Sequence, residues 1–264
     1  MSDSTDLNAD LELLRAVAAE AGSIAMGYFR KEPKVSWKEG MSPVTEADLH
    51  ADAYLRETLL AARPGYGWLS EETADNPGRL SRRRTFVVDP IDGTKAFIDG
   101  RDLWCVSVAI VENGVPLVGV LDCPARGEVF EAATGQGGFL NGRRLSLGPV
   151  HQPPRLSGAK VFVSAFAKAA NVTPEQAGHV PSLAYRIAMI ADGRLDGTFI
   201  KPNSHDWDLA AADLILTEAG GEIRQADGTK PAYARQKTVH GVLAAGNISL
   251  TATMLGVVAQ TPIS

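Results

Sequence analysis

Six residues near the middle of the chain, Asp89-Pro90-Ile91-Asp92-Gly93-Thr94, bring together groups that could do chemistry. Two carboxylates stand three apart at the end of the apolar run Phe86-Val87-Val88, which reads as a strand. Pro90 fixes φ between them and cannot continue a ladder. The strand is therefore expected to end at Asp89, with both acids converging on one point. Gly93 and Thr94 then open a short helix, Lys95 to Ile98, whose free N–H groups would form an anion site beside the acids. Carboxylates repel phosphate, so acids beside a phosphate cradle imply a divalent metal between them. Mg²⁺ is the natural choice, because it takes oxygen ligands and often binds one or two carboxylates plus substrate phosphate. On this hexapeptide alone, a plain turn in which Asp89 caps a helix remains an alternative.

Three further segments place acids in suggestive positions. Ser70-Glu71-Glu72 follows a short apolar stretch, an odd place for adjacent acids unless something cationic sits there; a solvated charge pair is the plainer reading. Ser42-Pro43-Val44-Thr45-Glu46-Ala47-Asp48 is a capped helix start close to a capping box, and capping alone would explain it. His205-Asp206-Trp207-Asp208 opens an amphipathic helix, where Asp208 could simply favour the N-terminal dipole.

In the order SPVTEAD, SEE, DPIDGTKAF, HDWDLAAADLILTEAGG, these segments resemble the inositol monophosphatase superfamily of Mg²⁺-dependent, lithium-sensitive phosphatases. The motifs run from Ser42 to Gly221, and DPIDGT paired with a distant WDxAA is highly specific. The resemblance implies an α/β fold, a layered α/β/α/β/α sandwich with an α+β N-terminal half and an α/β C-terminal half. It implies one metal site made by Glu71, Asp89 and the Ile91 carbonyl, and a second made by Asp89, Asp92 and Asp208. Glu71 also matches a ligand of a weaker third metal, with Asp48 held behind it through water. Gly93 and Thr94 match the phosphate-binding helix start, and Thr94 with Glu71 matches the pair that orients the attacking water. Asp92 and Asp208 are also expected to touch substrate. No position departs from that pattern. The mechanism so implied needs no covalent phosphoenzyme.

The phosphate ester is harder to read. Inositol monophosphatases usually read GEE and DPIDGTTNF, whereas SEE and the lysine after Gly-Thr look more like 3'(2'),5'-bisphosphate nucleotidases. Histidinol-phosphate phosphatases carry a similar DPIDGTRxF. Where inositol monophosphatases commonly place a glutamate, this chain has Lys201, which suits a second anionic group but reads equally as a surface charge. Pro181-Ser182-Leu183-Ala184 lacks the glycine usual in both branches. The bisphosphate nucleotidase reading fits best, followed by inositol monophosphatase and then histidinol-phosphate phosphatase. A non-catalytic regulatory binder on the same fold is the alternative of a different class; the complete ligand set argues against it.

The elements that must position these residues follow from periodicity. Apolar residues at helical spacing predict a helix over Asp6–Arg30, and the Thr45 cap predicts another to Ala62. Trp104–Val111 and Val115–Leu121 read as strands joined by Glu112-Asn113-Gly114, a strong hairpin signal. Glu128–Ala132 reads as a third strand, and Gly135–Arg144 as turn material. Prolines in Gly148–Pro154 divide the chain into 1–147 and 148–264. Beyond them come a strand near Lys160–Val163, a helix from Ser182 to Ala191, a strand near Gly197–Ile200 and a helix from Trp207 to Ala219. Strands near Glu222–Arg224 and Val242–Ala245 and a helix near Ser249–Val258 complete the alternation.

Composition narrows the class. In 264 residues, 26 Lys plus Arg against 31 Asp plus Glu argue against general nucleic-acid or anionic-membrane binding. Cys105 and Cys123 make no disulfide framework and read as two buried thiols. The acidic start lacks the basic region of a signal or transit peptide, and no apolar run approaches the ~18 residues of a membrane span. The expectation is a cytoplasmic homodimer acting on a small phosphorylated metabolite. His205, three residues before Asp208, reads as a structural hydrogen-bonder, and the five histidines lack metal spacing.

Overall fold

The structure, a computed structural model, describes residues 2–38 and 42–261. The chain begins with α1 (Ser2–Met26), a short antiparallel hairpin of β1 (Val35–Trp37) and β2 (Pro43–Thr45), and α2 (Glu46–Ala62). A seven-stranded sheet follows in sequential order: β3 (Gly67–Ser70), β4 (Arg84–Asp92), β5 (Cys105–Glu112), β6 (Val115–Cys123), β7 (Glu128–Ala133), β8 (Gly137–Leu140) and β9 (Arg143–Arg144). The five-residue α3 (Thr94–Ile98) lies between β4 and β5. Only the β3–β4 pair is parallel.

The rest of the chain runs β10 (Arg155–Ser157), α4 (Lys160–Ala169), β11 (Glu175–Gln176), α5 (Leu183–Ala191), β12 (Gly197–Ile200), β13 (Ser204–His205), α6 (Asp206–Glu218), β14 (Gly221–Gln225), β15 (Val239–His240), β16 (Leu243–Asn247) and α7 (Ile248–Gln260). Its five-stranded mixed sheet has the order β11-β10-β12-β16-β14, while β13 and β15 pair separately.

The layers follow from strand alternation. Phe86 and Val88 of β4 face α1 and α2, where they meet Leu14, Leu55 and Leu59. Val87, of opposite phase, joins the core formed with Ile187 of α5, Leu209 and Ile215 of α6, and Leu243 and Ala245 of β16. Helices α5 and α6 therefore fill the space between the sheets. Against the far face of the second sheet, Phe162 and Phe166 of α4 and Met254 and Val257 of α7 pack on Phe199. The result is helices, sheet, helices, sheet, helices, the layered α/β architecture expected. Close packing of α6 on β6 requires Gly119, because a Cβ there would lie 2.9 Å from Ala211 Cα.

Several local readings hold. Asn113 (φ 53°) and Gly114 (φ 87°) form a two-residue turn with both central φ positive, the type I′ pattern that matches strand twist. Thr45 caps α2 through a capping box with Asp48. Both cysteines are buried and unpaired.

Others need correction. Lys160–Val163 is not a strand but the first turn of α4; the β-branched valines obscured the helical face of Phe162, Val163 and Phe166. The strand lies earlier, at β10, where Leu156 and Ser157 pair with Gly197 and Thr198. Gly135–Arg144 is not all turn, because β8 and β9 extend the first sheet there. The first helix stops at Met26 rather than Arg30, whose φ of 60° is left-handed. Strand β4 does not end at Asp89 but runs to Asp92.

Candidate active site

The same alternation delivers the acids. Glu71 follows β3 in phase with Leu69, and Asp89 is in phase with Val87, so both emerge on the α5–α6 side of the sheet. The Glu71 N–H donates to Val88 O (3.2 Å), extending the β3–β4 ladder to that point. Asp92 is out of phase with Asp89, and in a regular strand it would face the opposite side. The ladder pairs Asp89 with Ser107 and Asp92 with Cys105, so three steps on β4 match two on β5. This bulge, at Pro90, supplies the odd residue that turns Asp92 back beside Asp89.

Asp208 comes from the first turn of α6, where its Oδ2 accepts the His205 N–H (2.7 Å). Carboxylate oxygens of Asp89, Asp92 and Asp208 lie within 4.8 Å of one another. Together with Glu71, Gly93 and Thr94 they line a cleft of about 330 Å³. Gly93 (φ 100°) turns the chain from β4 into α3, and a Cβ there would press against Leu103 O at 3.0 Å.

Asp48 lies behind Thr94, and its two oxygens have different partners. Its Oδ2 accepts from Thr45 N–H (2.8 Å) and Thr45 Oγ1 (2.6 Å), which is capping. Its Oδ1 accepts from Thr94 Oγ1 (3.2 Å), which also reaches Ile91 O (3.1 Å).

The electrostatics are those of crowded, buried acids. Burial, then Glu71, Asp92 and Asp208, push the Asp89 carboxyl well above the usual carboxylate range. Burial and then Asp92 do the same to Asp208. Asp92 is pushed up to about 6 by burial, against the lowering effect of donors from Ser182, Ala184 and Leu183. Glu72 rises to about 7, again through burial. Lys38 reaches the cluster, its Nζ 2.9 Å from Glu71 Oε1 and 2.7 Å from Glu72 Oε1. Burial disfavours that ammonium, but the two glutamates outweigh it and raise its pKa.

A second cavity of about 410 Å³ adjoins the first, and Asp208 and His179 line both. Lys201 stands on its wall. Arg186 of α5 is there too. Its Nη1 donates to Val180 O (3.2 Å), but its buried Nε has no partner among the described residues. The buried Ser204 hydroxyl on the same wall is likewise without a partner.

Lys38, Ser182, Arg186 and His179 were not identified from sequence as site residues. Only Arg186 carries a signal, as the one charged residue in the apolar helix Leu183–Ala191. His205 differs from expectation: its hydrogen bond runs through the backbone N–H, while its ring stacks on Trp207 (centroids 4.5 Å apart, 10° between planes) and Nδ1 has no partner among the described residues.

Residues 6–259 match the inositol monophosphatase family. The chain is 32% identical to a histidinol-phosphatase of Mycobacterium tuberculosis, over 83% of this chain and 88% of the relative. It is 33% identical to an inositol-1-monophosphatase of Mesorhizobium japonicum, over 88% of each. To a 3'(2'),5'-bisphosphate nucleotidase of Aggregatibacter actinomycetemcomitans it is 30% identical, over 78% and 81%. The inositol monophosphatase structure from Anabaena superposes with a TM-score of 0.79 at 26% identity, covering 97% of this chain and 98% of that one.

Proposed function

The chain is a phosphatase of the inositol monophosphatase family, and we propose that it hydrolyses a small phosphate monoester in the cleft with Mg²⁺ held by Glu71, Asp89, the Ile91 carbonyl, Asp92 and Asp208. The observation that carries this reading is the convergence of the Asp89, Asp92 and Asp208 carboxylates, from β4 and α6, within 4.8 Å. The donor set fits the ion, because its side chains are all carboxylates, oxygen ligands that suit a hard divalent cation. Bound there, Mg²⁺ would neutralise phosphoryl charge and acidify a water for attack.

The protein's own groups orient the reactants. Asp48 Oδ1 and Ile91 O both face the Thr94 hydroxyl hydrogen. Thr94 Oγ1 is thereby left with lone pairs to accept from a water, and Glu71 offers a second acceptor in the same cleft. The two together would hold the attacking water. Residues 1–147 supply most of this machinery, and 148–264 complete it with Asp208.

For the substrate we favour a 3'(2'),5'-bisphosphate nucleotide. Arg186 and Lys201 put two cations on the cavity next to the carboxylates, where a second phosphate would find charge-assisted donors. Inositol 1-phosphate and histidinol phosphate are the second reading, supported by relatives that are 33% and 32% identical, against 30% for the bisphosphate nucleotidase. The test is phosphate release from adenosine 3',5'-bisphosphate, inositol 1-phosphate and histidinol phosphate, with Mg²⁺ and with EDTA. Release abolished by EDTA is expected, with the bisphosphate preferred. Lys201→Glu should lower kcat/KM for the bisphosphate relative to inositol 1-phosphate by about tenfold, roughly 1.4 kcal/mol. A wild type that prefers inositol 1-phosphate overturns the substrate reading, and release insensitive to EDTA overturns the metal. A homodimer and a cytoplasmic location are part of the same proposal.

A further inference from the structure

Asp92 receives hydrogen bonds from the start of a helix some ninety residues away. Ser182, fully buried, is the N-cap of α5. Its hydroxyl oxygen accepts the Tyr185 N–H (3.0 Å), and its hydroxyl hydrogen goes to Asp92 Oδ2 (2.5 Å). The same Oδ2 accepts the Ala184 N–H (2.6 Å), whereas among the described residues Oδ1 accepts only the longer Leu183 N–H (3.3 Å). A carboxylate offers about four lone-pair positions. Two close donors therefore engage Oδ2, and Oδ1 is the oxygen left for a cation. The hydroxyl itself has little freedom. Accepting from the Tyr185 amide fixes where its hydrogen points, and Cys105 Sγ packs 3.6 Å from Oγ. Asp92 is held on one side by this donor pair and on the other by the bulge of β4.

We propose that Ser182 is a positioning residue for the divalent-cation site: its hydroxyl pins Asp92 Oδ2 and so presents Oδ1 as the single metal-facing oxygen. The inference rests on the reading of Asp89, Asp92 and Asp208 as a metal site. Without the hydroxyl, the Asp92 carboxylate can rotate and offer either oxygen, and a bound cation loses a fixed partner. Groups that orient a metal ligand typically govern ten- to a hundredfold in affinity. The effect belongs to metal binding, so excess metal should restore turnover.

The experiment measures Mn²⁺ binding to the full-length protein, from the EPR signal of free Mn²⁺, for wild type, Ser182→Ala and Ser182→Gly. Glycine replaces a capping serine at small cost, whereas alanine does not. A role limited to capping would therefore spare the glycine variant. We expect both variants to bind Mn²⁺ at least about tenfold more weakly than wild type. The Mg²⁺ concentration for half-maximal rate should rise by a similar factor, with kcat at saturating Mg²⁺ approaching that of wild type. If Ser182→Ala does not fold, the glycine variant decides. Wild-type affinity in Ser182→Gly overturns the role of Ser182 alone. Absence of Mn²⁺ binding by the wild type overturns the metal site and this inference with it.

Discussion

The molecule buries acids in two places and treats them in opposite ways. At the base of α1, Asp10 is fully buried, but Arg63 Nε lies 2.8 Å from its Oδ1 and Arg84 Nη1 3.1 Å from its Oδ2. Arg84 also pairs with Asp6 at 2.5 Å and Glu112 at 2.8 Å: burial acts against its charge, and its hydrogen-bond partners outweigh burial. In the cleft, Asp89, Asp92 and Asp208 crowd together with no ion pair of their own among the described residues, and each is pushed toward protonation. Both regions draw on β4, whose first residue is Arg84 and whose last is Asp92. Compensated charge ties helix α1 to the sheet. Uncompensated charge destabilises the fold locally and leaves a site able to attract a cation.

The contrast can be broken most directly at Asp89. Asp89→Asn should lower phosphate release by at least about 10³-fold, some 4 kcal/mol of transition-state stabilisation. The same change should raise the melting temperature in EDTA, because a crowded buried carboxylate disappears while an oxygen remains for the Ile91 N–H. Near-normal turnover at saturating Mg²⁺ would remove Asp89 from the site. Arg84→Ala should do the reverse. Breaking a buried, paired charge costs about 3–5 kcal/mol, read by chemical denaturation, while kcat of the folded fraction stays near wild type. Equal loss of activity and stability would erase the distinction between the two regions.

A smaller effect is expected at Thr94, which sharpens the division of labour inside the cleft. Thr94→Ala should lower kcat about 10²-fold, roughly 2.7 kcal/mol, with KM little changed, if the hydroxyl orients water. A change confined to KM would instead assign it to phosphate binding. The smallest effect concerns Asp122, an acid that belongs to neither region and is pushed up to about 6 by burial alone. Because the fold raises this pKa above the unfolded value of about 4, its contribution is present below pH ~4 and is lost as pH rises through ~6. Asp122→Asn should therefore gain stability relative to wild type between pH 4 and pH 8, on the order of 2 kcal/mol. Parallel stability curves for the two proteins would show that Asp122 does not titrate in this way.

Much of the site was legible because its key groups sit in short, locally interpretable segments. The capping box at Thr45 and Asp48, the Asn113-Gly114 turn and the acids of Asp89–Asp92 each depend on neighbours within a few residues. Lys160–Val163 misled because valine and phenylalanine suit either a strand or the buried face of a helix, and only packing of Phe162 and Phe166 on Phe199 selects the helix. The bulge in β4 was hidden for a related reason. Proline signals that a ladder is interrupted, but whether the strand stops or continues depends on the β5 partner.

The sequence by itself determined the family, the layered α/β class and the acidic chemistry, since these reside in residue types, their spacing and hydrophobic period. Tertiary structure alone decided several meetings across long separations: Ser182 with Asp92, Lys38 with Glu71, and Arg186 with the cavity beside them. Sequence periodicity says which face of an element is buried but not which element will cover it. That choice is made when α5 and α6 pack between the two sheets, and the termini of both helices then arrive at the end of β4.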